Sequence, residues 1–133
     1  MREISRSTRV FLMCANLRSG NFMRKKGLFM ELAATYRKHG WNLHSALLQS
    51  STRAELEADE PALLANVPVR VSEVDALWFS RPSHNNREAW ELRLLSQTPY
   101  ALFETFEPEE TEAERDEVKQ EMEARMREYV SRS

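Results

Sequence analysis

The chain has 133 residues, of which 41% are hydrophobic and 30% are charged, and its formal net charge is −2. This length and composition predict one globular domain and exclude a largely disordered chain. A single cysteine, Cys14, excludes an intramolecular disulfide, so we expect a reducing, cytoplasmic location.

The first predicted element is the longest uninterrupted apolar run, Val10 to Ala15. It is far shorter than the roughly 20 residues that span a bilayer. It is also shorter than the apolar region of a secretory signal, which has about 7–15 residues. We therefore expect no membrane association, and a short run led by valine and phenylalanine is typical of a buried strand.

A helix and a strand follow. Apolar side chains recur at helical spacing at Leu28, Phe29, Leu32, Ala33 and Tyr36. Gly40 comes after a basic last turn and is expected to end the helix in the left-handed conformation. Residues 41–48 then alternate as a strand, which places Trp41 and Leu47 on one face and Leu48 on the other.

The next segment combines a short helix with an edge strand. Thr52 and Glu55 have the spacing of a capping box, which predicts a helix over residues 53–59 with Thr52 as its N-cap. Valines then alternate with polar residues from Val67 to Val71. Pro68 within this pattern favours an edge strand or the start of a strand.

A β-hairpin comes next, because two apolar segments flank the polar cluster 82–87. A turn centred between His84 and Asn85 places Phe79 opposite Trp90. That register gives apolar cross-strand pairs on one face, the arrangement that stabilises antiparallel strands. After the hairpin, the sequence allows either a strand or a short helix at residues 100–106.

The last predicted element is a long acidic helix over residues 111–130. Thr111 and Glu114 form a second capping box at its start, and acidic residues crowd its first turns. Its apolar stripe is narrow and consists of Val118, Met122, Met126 and Tyr129. Such a stripe suits either packing on the helix's own domain or a methionine-rich seam with a partner, including a homodimer.

The order β-α-β-(α)-β-β-β-α predicts an α+β fold. We expect a small antiparallel sheet of about 4–5 strands, covered by helices on one side. Residues 1–107 form the predicted domain, and residues 108–133 form the acidic helix that packs on the domain or on a partner.

Charge is divided along the chain. Residues 1–53 hold ten Lys/Arg and two acids, a net charge of +8, and the remaining residues have a net charge of −10. Within the basic half, cations surround an aromatic residue just before a helix N-terminus. The candidate anion-binding residues are Arg18, Phe22, Arg24, Lys25 and Lys26, with Arg2, Arg6 and Arg9 as further contacts.

This division predicts a non-catalytic binding or regulatory module that contacts an anionic partner, either nucleic acid or an acidic protein, through the basic loop. The acidic helix would then either self-associate or cover the basic face. An alternative is an acidic inhibitor or immunity-type module, which binds a basic protein through the C-terminal half. A third possibility is a small enzyme with a pocket between sheet and helices.

The enzyme alternative would use His44, Cys14 or Asp75. Cys14 lies in an apolar segment, where a cysteine usually packs as a small core residue. The three histidines lack the spacing of zinc ligands, and the carboxylates of the last helix share one solvated face. We therefore predict no catalytic residue, no metal site and no cofactor.

Overall fold

The computed structural model describes residues 24–132 and the backbone of residues 9–10. The helices are α1 (Lys25–Lys38), α2 (Ser50–Asp59) and α3 (Glu112–Arg132). The strands are β1 (Arg9–Val10), β2 (Asn42–Leu48), β3 (Val69–Val71), β4 (Ala76–Pro82), β5 (Glu88–Leu94) and β6 (Ala101–Phe106). The predicted α+β class is confirmed.

The described strands form one sheet in the order β1-β6-β5-β4-β2-β3. Neighbouring strands are antiparallel except β2 and β3, which are parallel, with Ala46 opposite Val69. Parallel neighbours need a crossover connection, and α2 with the segment after it provides this connection. The sheet is therefore mixed rather than purely antiparallel, and β3 is the edge strand that Pro68 indicated.

Helices cover both faces of the sheet rather than one. The side chains of α1 and α2 pack in one core cluster, and those of α3 pack in a second cluster on the opposite face. The reason lies in β4 and β5, whose central residues are buried on both sides. Strands that are apolar on both faces need a cover on each.

Helix α1 is built as the sequence predicts. Its buried residues are Leu28, Phe29, Leu32 and Tyr36. The helix ends at Lys38, and Gly40, just beyond the C-cap His39, has φ of 87°, a conformation that favours glycine. Arg81 donates a hydrogen bond of 2.9 Å to the carbonyl of His39, which satisfies one of the helix's terminal carbonyls.

The register of the β4–β5 hairpin differs from the prediction by one residue. Phe79 lies opposite Glu91, and the predicted pairing of Phe79 with Trp90 is wrong. The turn is centred on Asn85, which takes a positive φ of 56°, rather than between His84 and Asn85. A one-residue shift exchanges the faces of every side chain on β5, so it brings Glu91 into the interior under α1.

Strand β2 contains a bulge between Leu43 and Ser45. The extra residue reverses the alternation of side chains along the strand. Trp41 and Leu48 therefore share the core cluster under α1, while Leu47 lies in the cluster under α3. The prediction that Trp41 and Leu47 share a face is wrong for this reason.

The C-terminal elements follow the prediction closely. Residues 101–106 form a strand, which the sequence alone left open. The backbone N–H of Thr111 donates to Glu114 at 2.9 Å, and the N–H of Glu114 donates to the Thr111 hydroxyl at 3.1 Å, which confirms the capping box. Of the predicted strand at residues 10–15, only Val10 lies within the described residues.

Candidate functional site

The predicted basic loop is described from Arg24 onward, and Arg18 and Phe22 lie outside the described residues. Arg24 is exposed and forms an ion pair of 3.2 Å with Asp59, the last residue of α2. Surface pairs of this kind contribute little to stability, about 1 kcal/mol or less. They do, however, neutralise local charge.

Lys25 and Lys26 are also paired with acids. Lys25 Nζ donates to the carbonyl of Leu95 at 2.9 Å and lies 3.3 Å from the carboxylate of Asp75. Lys26 Nζ lies 3.7 Å from Glu60, just after α2. The three described cations of the loop therefore have partners within the domain, and these partners do not belong to the acidic helix α3.

Asp75 is the centre of this network. It is buried and accepts hydrogen bonds from the backbone N–H of Gln49 at 2.8 Å and from the hydroxyl of Thr52 at 2.7 Å, in addition to its contact with Lys25. Its carboxylate thus anchors the start of α2 to the segment before β4. Helix α2 begins at Ser50 with Gln49 as its N-cap, so the predicted N-cap role of Thr52 is wrong.

The stripe predicted to bind a partner lies inside the domain. Val118, Met122 and Met126 are buried against the sheet, and the ring of Tyr129 stacks on Tyr100 with centroids 3.6 Å apart. In this fold, a seam along the stripe would require α3 to leave the sheet. Helices α1 and α3 lie on opposite faces of the sheet, so among the described residues α3 does not cover Arg24, Lys25 or Lys26.

The exposed side of α1 carries an apolar groove of about 480 Å³, which we call the α1 groove. Its apolar lining consists of Phe29, Met30, Ala33, Ala34 and Leu63. Met30 is 48% exposed, although an unbranched apolar side chain gains free energy when it leaves water. This groove is the part of α1 that the described domain leaves open to solvent.

Two exposed cations, Arg37 and Lys38, line the C-terminal end of the α1 groove. Within residues 24–132, neither forms an ion pair. In the sequence, the two residues were assigned only to the basic last turn of the helix and to the basic half of the chain. The helical spacing of Lys26, Met30 and Arg37, which lie on one side of α1, is the signal that could have identified this surface.

A second concave site, of about 360 Å³, lies between α3 and the sheet, and we call it the α3 cleft. Its lining residues are His44, Ser45, Pro68, Arg70, Trp78, Trp90, Asp116, Lys119, Gln120 and Glu123. The bulge in β2 directs His44 to this site, where its ring lies 4.7 Å from that of Trp90. Bulges often redirect side chains in this way next to functional sites.

Partial burial shifts the pKa of two groups in the α3 cleft. It lowers the pKa of His44, and the nearby charge of Lys119 lowers it further. Burial also lowers the pKa of Lys119, although the charges of Asp116 and Glu88 act in the opposite direction. Both shifts disfavour the charged form, so the imidazolium of His44 and the ammonium group of Lys119 are each less favourable here than in water.

A third polar cluster lies in the core under α1. Tyr36 donates a hydrogen bond to Glu91, and Arg93 follows on the same face of β5. Burial raises the pKa of Glu91 to about 7, against the hydrogen bond from Tyr36 and the charge of Arg93, which both lower it. This cluster is enclosed by the core, so we treat it as part of the architecture rather than as a site.

Among residues 24–132, no group of three or more His, Cys, Asp or Glu side chains is placed to hold a metal ion. Cys14, which the enzyme alternative would use, lies outside the described residues. None of the three helices in the described part of the chain is both long enough and apolar enough to cross a membrane.

Comparison of the chain with protein-family models, with curated proteins and with solved structures finds no match.

Proposed function

We propose that this protein is a non-catalytic binding module that captures an acidic, amphipathic segment of a partner protein in the α1 groove. The observation that carries the proposal is the combination of exposed Met30 with Arg37 and Lys38, two cations at one end of the same groove that have no acidic partner within residues 24–132. An apolar floor next to positive charge complements a helix or strand that presents an apolar side chain beside acidic ones.

An acidic protein suits this surface better than a nucleic acid. Single-stranded nucleic acids need exposed aromatic rings on which bases stack, together with cations that follow the phosphates. The aromatic residue of the groove, Phe29, is only 3% exposed, and the exposed floor is made of methionine and alanine side chains. The cations nearest the N-terminus of α1 already pair with Asp59, Asp75 and Glu60.

The test is a selection from a random peptide library displayed on phage, carried out on the full chain and on the Arg37→Glu/Lys38→Glu variant. We expect the wild-type protein to enrich peptides that combine acidic and apolar residues, and the variant to lose this enrichment by at least about tenfold. Arg53→Glu is the matched control, because Arg53 lies on α2 outside the groove, and it should select as the wild type does.

Binding of selected peptides should weaken as salt is raised from about 50 to 200 mM, because the attraction is between charges. Fluorescence anisotropy with single-stranded DNA and RNA completes the experiment. If nucleic acid binds and Lys25→Glu/Lys26→Glu abolishes that binding while the peptide selection fails, the partner is nucleic acid at the basic loop and the proposal is wrong.

The acidic alternative has one supporting observation. Glu109, Glu112 and Asp116 are exposed around the start of α3. If the selection enriches basic peptides instead, and charge reversal at these three positions removes them, then the protein is an acidic module directed at a basic partner. Self-association would likewise have to use this charged outer side of α3, because the apolar stripe is buried.

The enzyme alternative is the least supported by the geometry. Asp75 is occupied by its hydrogen bonds to Gln49 and Thr52 and by its ion pair with Lys25, and the other described candidate, His44, lines the α3 cleft. General acid–base catalysis usually needs a second group whose pKa differs from that of the first. A binding function without catalysis therefore explains the arrangement of these residues better.

A further inference from the structure

The α3 cleft contains a cation that meets aromatic rings rather than an acid. Lys119 Nζ lies 3.4 Å from the centroid of the Trp90 ring and 5.9 Å from that of Phe106. No carboxylate among residues 24–132 lies within ion-pair distance of this ammonium group. The ring faces attract this half-buried ammonium group, and an opposite charge that approaches it would offset the rest of its desolvation cost.

The acids of the α3 cleft do not fill this role. Glu123 is buried, accepts a hydrogen bond of 2.9 Å from Trp78 Nε1 and pairs with the guanidinium of Arg70. Asp116 is exposed and acts on Lys119 only at longer range. Among the described residues, Lys119 is thus the cation of the cleft that remains open to a ligand.

His44 provides a second donor against the same indole ring. Its Nδ1 lies 2.9 Å from the hydroxyl of Ser45. When that hydroxyl donates to Nδ1, the proton of the neutral imidazole is on Nε2, which is then a donor. Lys119 and His44 both line the α3 cleft and both contact Trp90, which brings the two groups to one part of the cleft wall.

We infer that the α3 cleft binds a small organic carboxylate, with its charged end at Lys119 and His44 and its apolar part against Pro68 and the tryptophan edges. The volume of about 360 Å³ is at the small end of ligand sites, which measure roughly 300–1,000 Å³. A monoanion fits better than a dianion, because Asp116 and Glu123 also line the cleft. This site is independent of the α1 groove, which lies on the opposite side of the sheet.

The experiment uses benzoate as the probe and follows the indole N–H signals of the full chain by NMR. Trp78 and Trp90 line the cleft, whereas Trp41 packs on the other face and serves as an internal reference. We expect the signals of Trp78 and Trp90 to shift with benzoate and the signal of Trp41 to stay in place. Neutral benzamide and inorganic phosphate should each bind at least about tenfold more weakly than benzoate.

Two variants test the named donors. Lys119→Gln should weaken benzoate binding by about tenfold or more, and Arg132→Gln on the same helix should leave it unchanged. His44→Ala alters an exposed residue and gives a second measurement should Lys119→Gln fail to fold; it should also weaken binding. Equal binding of benzamide, equal binding of phosphate, or no shift of either indole at millimolar benzoate would each overturn the inference.

Discussion

The hydroxyl of Tyr36 donates a hydrogen bond to the carboxylate of Glu91 within the core between α1 and β5. Their exposed fractions are 0% and 1%, and Arg93 beside them is likewise fully buried. Arg93 donates to the backbone carbonyl of Leu94 at 3.1 Å, while its Nη1 has no acceptor among residues 24–132. An ionisable group in such surroundings makes folding depend on pH.

Glu91→Gln should flatten the pH dependence of stability. The pKa of Glu91 is about 7 in the folded protein, against an ordinary value of 4.5, so the folded chain holds this proton where the unfolded chain has lost it. The titration of Glu91 should therefore lower the free energy of unfolding of the wild type, relative to Glu91→Gln, by roughly 3 kcal/mol as pH rises from about 4.5 to 7.5. Urea unfolding followed by circular dichroism at several pH values measures this slope.

The variant should lack this fall, because an amide does not ionise. Glu73→Gln changes an exposed carboxylate and should keep the wild-type slope. A wild-type protein whose stability rises over the same pH interval would contradict the prediction, since that sign belongs to a carboxyl with a lowered pKa.

Tyr36→Phe should destabilise the protein by about 1–3 kcal/mol at pH 8, because the ionised Glu91 then loses a buried donor. The pKa of Glu91 should rise further, since the hydrogen bond from Tyr36 lowers it. Chemical denaturation gives the first quantity, and a carbon-detected NMR titration of the Glu91 carboxyl gives the second. In the Glu91→Gln background, the pH-dependent part of the loss should vanish.

The sequence predicted the positions of helices and strands better than it predicted which face of the sheet each side chain lies on. Helix α1, its glycine end and the capping box of α3 depend on residues close together in the chain, and all three are confirmed. The hairpin register depended on a turn centred on Asn85, in which Asn85 and Asn86 both have positive φ. A turn centred on a residue has a loop of odd length, and the polar composition of residues 82–87 did not indicate this. The one-residue error in register placed Trp90 rather than Glu91 opposite Phe79, so the burial of Glu91 was not predicted.

The residues of the candidate sites could not be predicted for a similar reason, because tertiary features bring them together. His44 reaches the α3 cleft through a bulge, and bulges leave no clear trace in the alternation of a single sequence. Asp75, just before β4, accepts a hydrogen bond from the hydroxyl of Thr52, a tertiary contact that replaces the local capping pattern predicted at Thr52. Charge composition indicated a basic half, but only the fold shows which of its cations are already paired.

Asp75→Ala should destabilise the protein by about 2–4 kcal/mol, because the change leaves the donors of Gln49 and Thr52 and the charge of Lys25 without their acceptor. Thermal and urea unfolding measure the loss. Asp59→Ala removes an acid from an exposed pair with Arg24 and should cost no more than about 1 kcal/mol. Equal losses for the two variants would show that Asp75 does not hold α1 and α2 together.

Met122→Ala should destabilise the protein by about 2–5 kcal/mol, because Met122 is fully buried between α3 and the sheet and its truncation leaves a cavity. Met30→Ala, on the exposed α1 groove, is the matched control and should change stability by no more than about 0.5 kcal/mol. Urea unfolding compares the two, and light scattering after size exclusion measures the mass of each. If α3 packs on its own sheet, Met122→Ala lowers stability without changing the mass of the folded species. If the stripe were instead a seam between two copies, the same substitution would lower the mass and make stability depend on protein concentration.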